Sequence, residues 1–414
     1  MDEAAFLRLI ASAPDDDAPR LIYADWLDER GDPRGAFIRA QCALARLPAN
    51  DPRRADLEAV VNQLKAAHAA EWTRRISGLV SGHEFRRGFV EEVTLSADAL
   101  LEHGPELAAA GHLGTVHLPD VGNDLRRVLN APAMALVRTL DLVGNRVGDA
   151  GAAALMSSSR LANLEAIDLS FNGLTNDGVR VLLTRRWPKL RSLDLRGSDG
   201  LGRTGAIRIG RSSSLPVLET LDVSDNQLDG SGVWALAHST ALPRLADLRL
   251  AGNPVGDAGA RALAGSAVFG RQLERIGTLD LSRTQLGSSG IQALVGDPRF
   301  KAVQVLKLAG NRIDSEGLIA LTLTNLPELR ELDLSANFVA DEAAYALALS
   351  PLLASLLRLD LSDNLLSKAG VGVVCFSEYR NWRTVFEMEG NDAPPLELPR
   401  GYDRDAPLPL SGDE

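Results

Sequence analysis

Two rhythms of apolar residues run along this chain, and each predicts a different kind of element. The first is short and frequent. LDLVGN ends at Asn145, IDLSFN at Asn172, LDVSDN at Asn226, LRLAGN at Asn253, LKLAGN at Asn311, LDLSAN at Asn337 and LDLSDN at Asn364. The same frame recurs with Ser198 and Thr284 in the Asn slot, and weaker copies lie around Asp98, Val121 and Asn391. Together they make about twelve units spaced about 27 residues apart, the signature of a repeat array. In L-x-L the alternate residues point to one side of an extended strand, so Leu140 and Leu142 face inward together. The Asn that follows can bond backbone groups of its own turn and of its neighbour's. Six residues after most of these Asn stands a Gly (Gly151, Gly178, Gly232, Gly259, Gly290, Gly317, Gly370), each opening an apolar run of helical spacing. Strand, turn and helix in every unit predict a parallel sheet on one side and helices on the other, each unit stable only against its neighbours. Two places depart from the frame: Ala343 stands in a Gly slot, and the interval before Thr284 carries about four extra residues.

The second rhythm is helical and confined to residues 1 to about 76. Leu21, Ile22, Tyr23, Trp26 and Leu27 form one apolar face, Phe37, Ile38, Gln41, Leu44 and Leu47 another, and Val60, Val61 and Leu64 a third. Between the first two, Gly31 suits a left-handed helix end, Asp32 an N-cap and Pro33 the first helical position. The acids Asp25, Asp28, Glu29 and Asp32 are then helix caps and solvated faces. Asp25 and Asp28 share a face, but no His, phosphate cradle or nucleophile motif accompanies them. The domain map is a helical domain over 1–76, the array over 77–392, and a Pro-rich, charged, flexible tail over 393–414.

The repeat resembles the leucine-rich repeat family, specifically its ribonuclease-inhibitor-like class with a helix in each unit, over about residues 85–392. That resemblance implies an α/β solenoid, a horseshoe with a parallel concave sheet and convex helices, here preceded by a small all-α domain. APRLIYADWLDERGDPRGAFIRAQ, Ala18 to Gln41, is similar to the repeat-companion domain found beside repeat arrays in planctomycete and myxobacterial proteins. What it implies is a bacterial architecture, a helical cap or adaptor, with no activity or ligand attached. FRRGFVEEVTL, Phe85 to Leu95, resembles the usual lead-in to such an array.

Composition narrows the function. The formal charge is −11 and no concentrated basic face is visible, which argues against binding nucleic acid or anionic membrane. Cys42 and Cys375 are the only cysteines, too few for a disulfide framework and suited to a reducing compartment. The N-terminus opens acidic and Arg8 interrupts its apolar run, unlike a secretory signal, and no stretch has the length of a membrane helix. A cytoplasmic protein without cofactor or metal is expected. His83, His103, His112 and His117 are close in sequence but poorly spaced for zinc, and are expected to be ordinary surface histidines. Cys375 is expected to be a buried small residue, with no partner His near it. No Ser-His-Asp order can be assigned.

The candidate site lies between the two inward leucines, where the strand residue points into the concave face. Along the array that slot holds Thr94, His117, Asp141, Asp168, Asp194, Asp222, Arg249, Asp280, Lys307, Asp333, Asp360 and Glu387. Two carboxylates on adjacent strands, about 4.8 Å apart, repel by roughly 1 kcal/mol even in water. Arg249 and Lys307 relieve the second half; Asp141, Asp168, Asp194 and Asp222 stand in a row, with Arg138 and Arg196 expected to relieve them. Either Asp is the family's habit here, or the row is an acidic binding stripe. Trp234 is a further candidate. It occupies a helix slot held elsewhere by Ala153, Arg180, Arg261 and Gln292, so it either packs on neighbouring helices, stacks beneath Arg261, or anchors a partner or a second copy. The expected function is a non-enzymatic scaffold for a protein partner with basic features. The alternative is a regulator of an enzyme, of GTPase-activating or inhibitor type, although no inserted catalytic Arg is identifiable. A free-standing enzyme has no motif to support it.

Overall fold

The computed structural model describes residues 2–48, 51–109, 113–198 and 200–391; His112 and the tail at 393–414 lie outside them. Four helices come first: α1 (Glu3–Ser12), α2 (Ala18–Asp28), α3 (Arg34–Arg46) and α4 (Arg53–Trp72). Between α2 and α3 the chain turns through Gly31 at φ 69°, and Asp32 accepts the Arg34 amide at 2.8 Å. An antiparallel hairpin follows, β1 (Gly82–Arg86) and β2 (Phe89–Thr94), closed by Arg87 and Gly88, both at positive φ. That geometry is the two-residue turn whose twist matches paired strands. Gly88 is also forced sterically, since a Cβ there would run into Ile38 of α3.

The hairpin belongs to the helical core as much as to the sheet. Phe6, Ile10, Tyr23, Ala24, Leu27, Ile38 and Cys42 form one buried cluster with Phe89 of β2, and Phe85 meets the Phe37 ring edge-on at 5.3 Å. Tyr23 is fully buried, its hydroxyl donating to Glu3 at 2.8 Å; burial first, and then Glu3, push its ionisation up. Beside this core the buried Arg20 donates to the Asp16 carbonyl at 3.0 Å and pairs with Glu91 of β2 at 2.5 Å. Removing one partner of such a pair typically costs 3–5 kcal/mol, because the other charge stays buried.

From β2 the strands run parallel and in register: β3 (Thr115–His117), β4 (Thr139–Asp141), β5 (Ala166–Asp168), β6 (Ser192–Asp194), β7 (Thr220–Asp222) and β8 (Asp247–Arg249). A second, five-stranded sheet holds β9 (Thr278–Asp280), β10 (Val305–Lys307), β11 (Glu331–Asp333), β12 (Arg358–Asp360) and β13 (Val385–Glu387). The lengthened interval before Thr284 holds an extra helix, Ala267–Arg275, and the sheet is interrupted there. The array is therefore two sheets, where the repeat alone suggested one. Correspondingly the chain forms two compact units, one reaching Asn253 and including Ser266–Arg271, the other made of Pro254–Gly265 and the residues from Gln272 onward. Each contains an α/β solenoid segment with helices behind its sheet, and the first opens with the small all-α module.

Inward leucines such as Leu140, Leu142, Leu221 and Leu332 are at most 1% exposed. Each contributes roughly 1.5–3 kcal/mol of burial. The turn asparagines hold the units to each other. Asn172 donates to the Leu142 carbonyl of the preceding unit at 2.7 Å and to Ser170 at 3.1 Å, while its Oδ1 accepts from Val147 at 3.2 Å. Asn145, Asn226, Asn253, Asn311, Asn337 and Asn364 likewise donate to carbonyls of their own and the preceding unit and accept a preceding amide. Ser198 makes one such side-chain donation, to Leu195 at 2.8 Å. The Gly slot marks close approach of consecutive units: a Cβ on Gly178 would strike the Asp149 carboxylate, and one on Gly370 that of Asp341. Where Ala343 replaces Gly, the helix Asp341–Ala348 still forms with Ala343 fully buried.

Candidate interaction surface

Strand alternation puts every second residue of β2 to β8 on the open face of the first sheet. Its register aligns Thr94, His117, Asp141, Asp168, Asp194, Asp222 and Arg249 in one row. The aspartates have a local duty there. Asp141 Oδ1 accepts the Val143 amide at 2.8 Å, Asp168 that of Ser170 at 2.8 Å, Asp194 that of Arg196 at 2.8 Å, and Asp222 that of Ser224 at 2.9 Å. The second sheet repeats the bond at Asp280, Asp333 and Asp360. Asp recurs in this slot because its short carboxylate reaches the amide two residues on, where the strand becomes a turn.

The second oxygen sets the charge pattern, which is compensated at both ends of the row. His117 Nδ1 lies 2.6 Å from Asp141 and its Nε2 3.0 Å from Glu92, so the ring is clamped between two carboxylates. It is not the ordinary surface histidine the spacing suggested. The register explains the difference, since it brings β2, β3 and β4 side by side. Burial pushes the Glu92 carboxyl up, but Arg86 and His117 hold it below its usual value. At the other end Arg249 reaches Asp222 at 3.8 Å and Asp247 at 3.0 Å.

The middle of the row keeps its charge. Arg196 lies 3.4 Å from Asp194, a long contact. Burial, followed by the charges of Asp222 and Asp168, lifts the Asp194 carboxyl to about 6. Asp168 has no cationic partner among the described residues. Arg138, expected to relieve the row, does not reach it. Residue 138 shares the parity of Leu140, and its guanidinium binds Glu165 at 2.8 Å and Asp15 of the helical module at 2.7 Å.

Two apolar side chains border this acidic stretch and had no part in the sequence expectation. Val143 is 47% exposed and Phe171 52% exposed. The residue before the turn Asn takes left-handed φ in unit after unit. Gly144 (68°), Gly252 (70°) and Gly310 (65°) do so freely, whereas Phe171 does so at 54° with a bulky side chain. Such a conformation in a non-glycine costs of order 1–3 kcal/mol. The phenyl ring then stands out of the turn, with the Arg196 guanidinium 5.5 Å from its centroid. The slot is visible in the sequence, where other units hold Gly, Asp, Ala or Arg, but not the left-handed conformation that makes a bulky ring there unusual.

The remaining candidate, Trp234, projects from the opposite, helical face. It is 57% exposed and stacks on His238, the residue that ends its helix, at 5.1 Å and 15°. Cys42 and Cys375 are both buried, and burial pushes both thiols up to about 11. Among the described residues no group of three or more His, Cys, Asp or Glu could hold a metal ion, and no helix is long and apolar enough to cross a membrane.

Residues 134–156, 160–183, 214–237, 245–264, 278–295 and 303–321 match the model of the Leucine Rich repeat family. Among solved structures, an internalin (inlF) from Listeria monocytogenes is similar at 14% identity, over 73% of this chain and 82% of that one, with a TM-score of 0.41. A chain of the mouse RP105/MD-1 complex is similar at 21% identity, over 78% of this chain and 54% of that one, with a TM-score of 0.43. No curated protein matches the chain in sequence.

Proposed function

We propose that this leucine-rich repeat protein is a non-enzymatic scaffold that binds a basic protein partner on the open sheet face of its first unit. Leucine-rich repeat proteins are generally protein-interaction scaffolds. The observation that carries the reading is the uncompensated Asp168, with its row neighbours, beside exposed Phe171 and Val143. A Lys or Arg of the partner meets Asp168 and Asp194, while an apolar residue packs on the phenyl ring. Charge supplies orientation and encounter rate, and the aromatic contact supplies residence. Asp141 and Asp222, already bound to His117 and Arg249, frame the contact. The helical module serves as a cap for the array, sharing its core with β1 and β2.

The test is affinity capture from the source cell with the wild-type chain and with Asp168→Asn plus Asp194→Asn. Both amides keep an oxygen for the turn bond, so the fold is preserved while the charge is lost. The expected result is a protein retained by the wild type, released by raised salt, and lost with the double variant. Charges beyond about 8 Å are screened at physiological ionic strength, so only close pairs should resist moderate salt. A partner indifferent to both the double variant and salt would remove the row from the reading.

A further inference from the structure

One part of the helical face of the same unit, around residues 176–237, has the opposite charge. Residues 180–211 carry nine Lys and Arg against Asp194 and Asp199, in a chain of formal charge −11. Some of these cations serve the sheet side, as Arg191 does with Glu219 and Arg196 with Asp194. Others lie on or beside the helices Asn176–Leu182, Arg203–Arg211 and Gly230–Ala237, which pack side by side in that order. In units stacked in register, residues at one offset from the repeat Gly form a row. Two positions after Gly178, Gly205 and Gly232 stand Arg180, Ile207 and Trp234; six positions after the last two stand Arg211 and His238. Packed helix axes lie about 8–10 Å apart, within reach of these long side chains.

Few acids neutralise it. Asp177 is shared by Arg180 at 3.2 Å and Arg208 at 3.9 Å, and Asp229 is occupied by Arg203 at 2.8 Å. Arg211, and Arg186 in the loop after the first of the three helices, are exposed and have no acidic or carbonyl partner among the described residues. Trp234 adds a large exposed apolar surface on the third helix, its indole held against His238, with half-buried Ile207 one unit away.

We propose that this face is a second interaction surface, which binds an acidic protein segment carrying an apolar residue. Carboxylates of the segment engage Arg186, Arg208 and Arg211, and its apolar residue packs on Trp234 and Ile207. Guanidinium forks match carboxylates in a bidentate geometry, and Trp and Arg are the side chains enriched at the energetic centres of protein interfaces. Duplex nucleic acid is a poorer match. It offers one charge per about 1.7 Å and is held by many phosphate contacts, whereas here a few guanidiniums share the helical face with one indole, and Asp177 lies between two of them. The partner's sign is opposite to that expected on the sheet face, so the two surfaces do not compete.

The test uses the full chain and three fluorescently labelled probes: a short Glu-rich peptide with a central Leu-Leu pair, the same peptide with that pair replaced by Ser-Ser, and a duplex DNA. Variants are Arg186→Glu plus Arg211→Glu, and Trp234→Ala, each checked for wild-type melting. Asp168→Asn plus Asp194→Asn serves as the control for the other face. Anisotropy should show that the Leu-bearing peptide binds best, that the charge reversal weakens it at least about tenfold, and that Trp234→Ala abolishes the advantage of Leu over Ser. The control should bind the peptide as the wild type does. The proposal is overturned if the charge reversal leaves peptide affinity unchanged, if neither peptide binds, or if DNA binds more tightly than either. It is equally overturned if sedimentation shows oligomers that the charge reversal dissolves, which would assign the face to a second copy of the chain.

Discussion

Replacing Asn311 with Ala tests most directly what holds one repeat to the next. Asn311 is 5% exposed, and its Oδ1 accepts the Thr284 amide at 2.9 Å and the Leu286 amide at 2.9 Å. Its Nδ2 donates to Leu281 at 2.7 Å and Leu308 at 2.8 Å. Alanine would leave two buried N–H donors and two carbonyls to find other partners. A buried donor or acceptor left without a partner costs about 1–3 kcal/mol, and the N–H groups are the stricter because each has a single proton to place. Carbonyls retain a second lone pair, so most of the loss falls on the two amides, for a total of about 3–5 kcal/mol. At the end of the array, half-buried Asn391 makes analogous bonds where water can replace it, so Asn391→Ala should cost about 1 kcal/mol. Ser198→Ala, removing a single donated bond, should cost a similar amount. Urea unfolding gives the ranking, and hydrogen exchange at the Thr284 and Leu286 amides locates the loss. Stability within about 0.5 kcal/mol of wild type, with unchanged protection at those amides, would refute the role given to the asparagine ladder.

The acidic row has its own pH signature. Asp194 takes a proton in the folded chain near pH 6, above its ordinary value of 3.8, so its charge disfavours the fold above that window and the penalty fades as pH falls through it. Asp194→Asn should therefore raise the melting temperature at neutral pH by an amount that shrinks on acidification; a difference constant across the window would contradict this. Arg20→Ala should destabilise by about 3 kcal/mol and expose the helices before Ile76 to proteolysis, because Glu91 loses its closest cation. Wild-type melting and resistance would show that the pair is dispensable. With both thiols raised to about 11, Cys42 and Cys375 should alkylate in the folded chain at pH 8 at least about a hundredfold more slowly than in urea. Equal rates would mean that one of them is reached by solvent.

Periodicity made the repeating part of the fold legible. L-x-L, Asn and Gly mark strand, turn and close helix approach, and these depend on neighbours at fixed offsets. The interruption between β8 and β9 was visible only as extra length, because the helix Ala267–Arg275 follows no repeat pattern. The row of aspartates was legible as a row, but not its chemistry. Whether a carboxylate is paired depends on which long side chain swings across from the next strand, as Arg249 does and Arg138 does not. Phe171 was missed because its significance is conformational: only the left-handed turn shows that a bulky residue stands where glycine would fit without strain. The helical patch was missed because the cations of residues 180–211 divide between the sheet side and the helical side, and only the fold shows which go where.

The bond from each strand aspartate to the amide two residues on has an evolutionary side. One oxygen is committed to the chain's own turn, so the carboxylate is held in place before any partner arrives, and little rotamer freedom remains to be lost on contact. Asparagine preserves the turn bond and erases the charge, a change of one nitrogen for one oxygen. A face built from such residues can be rewritten unit by unit while the backbone beneath it stays fixed. That lets copies of one repeat drift toward different partners without first passing through an unfolded intermediate.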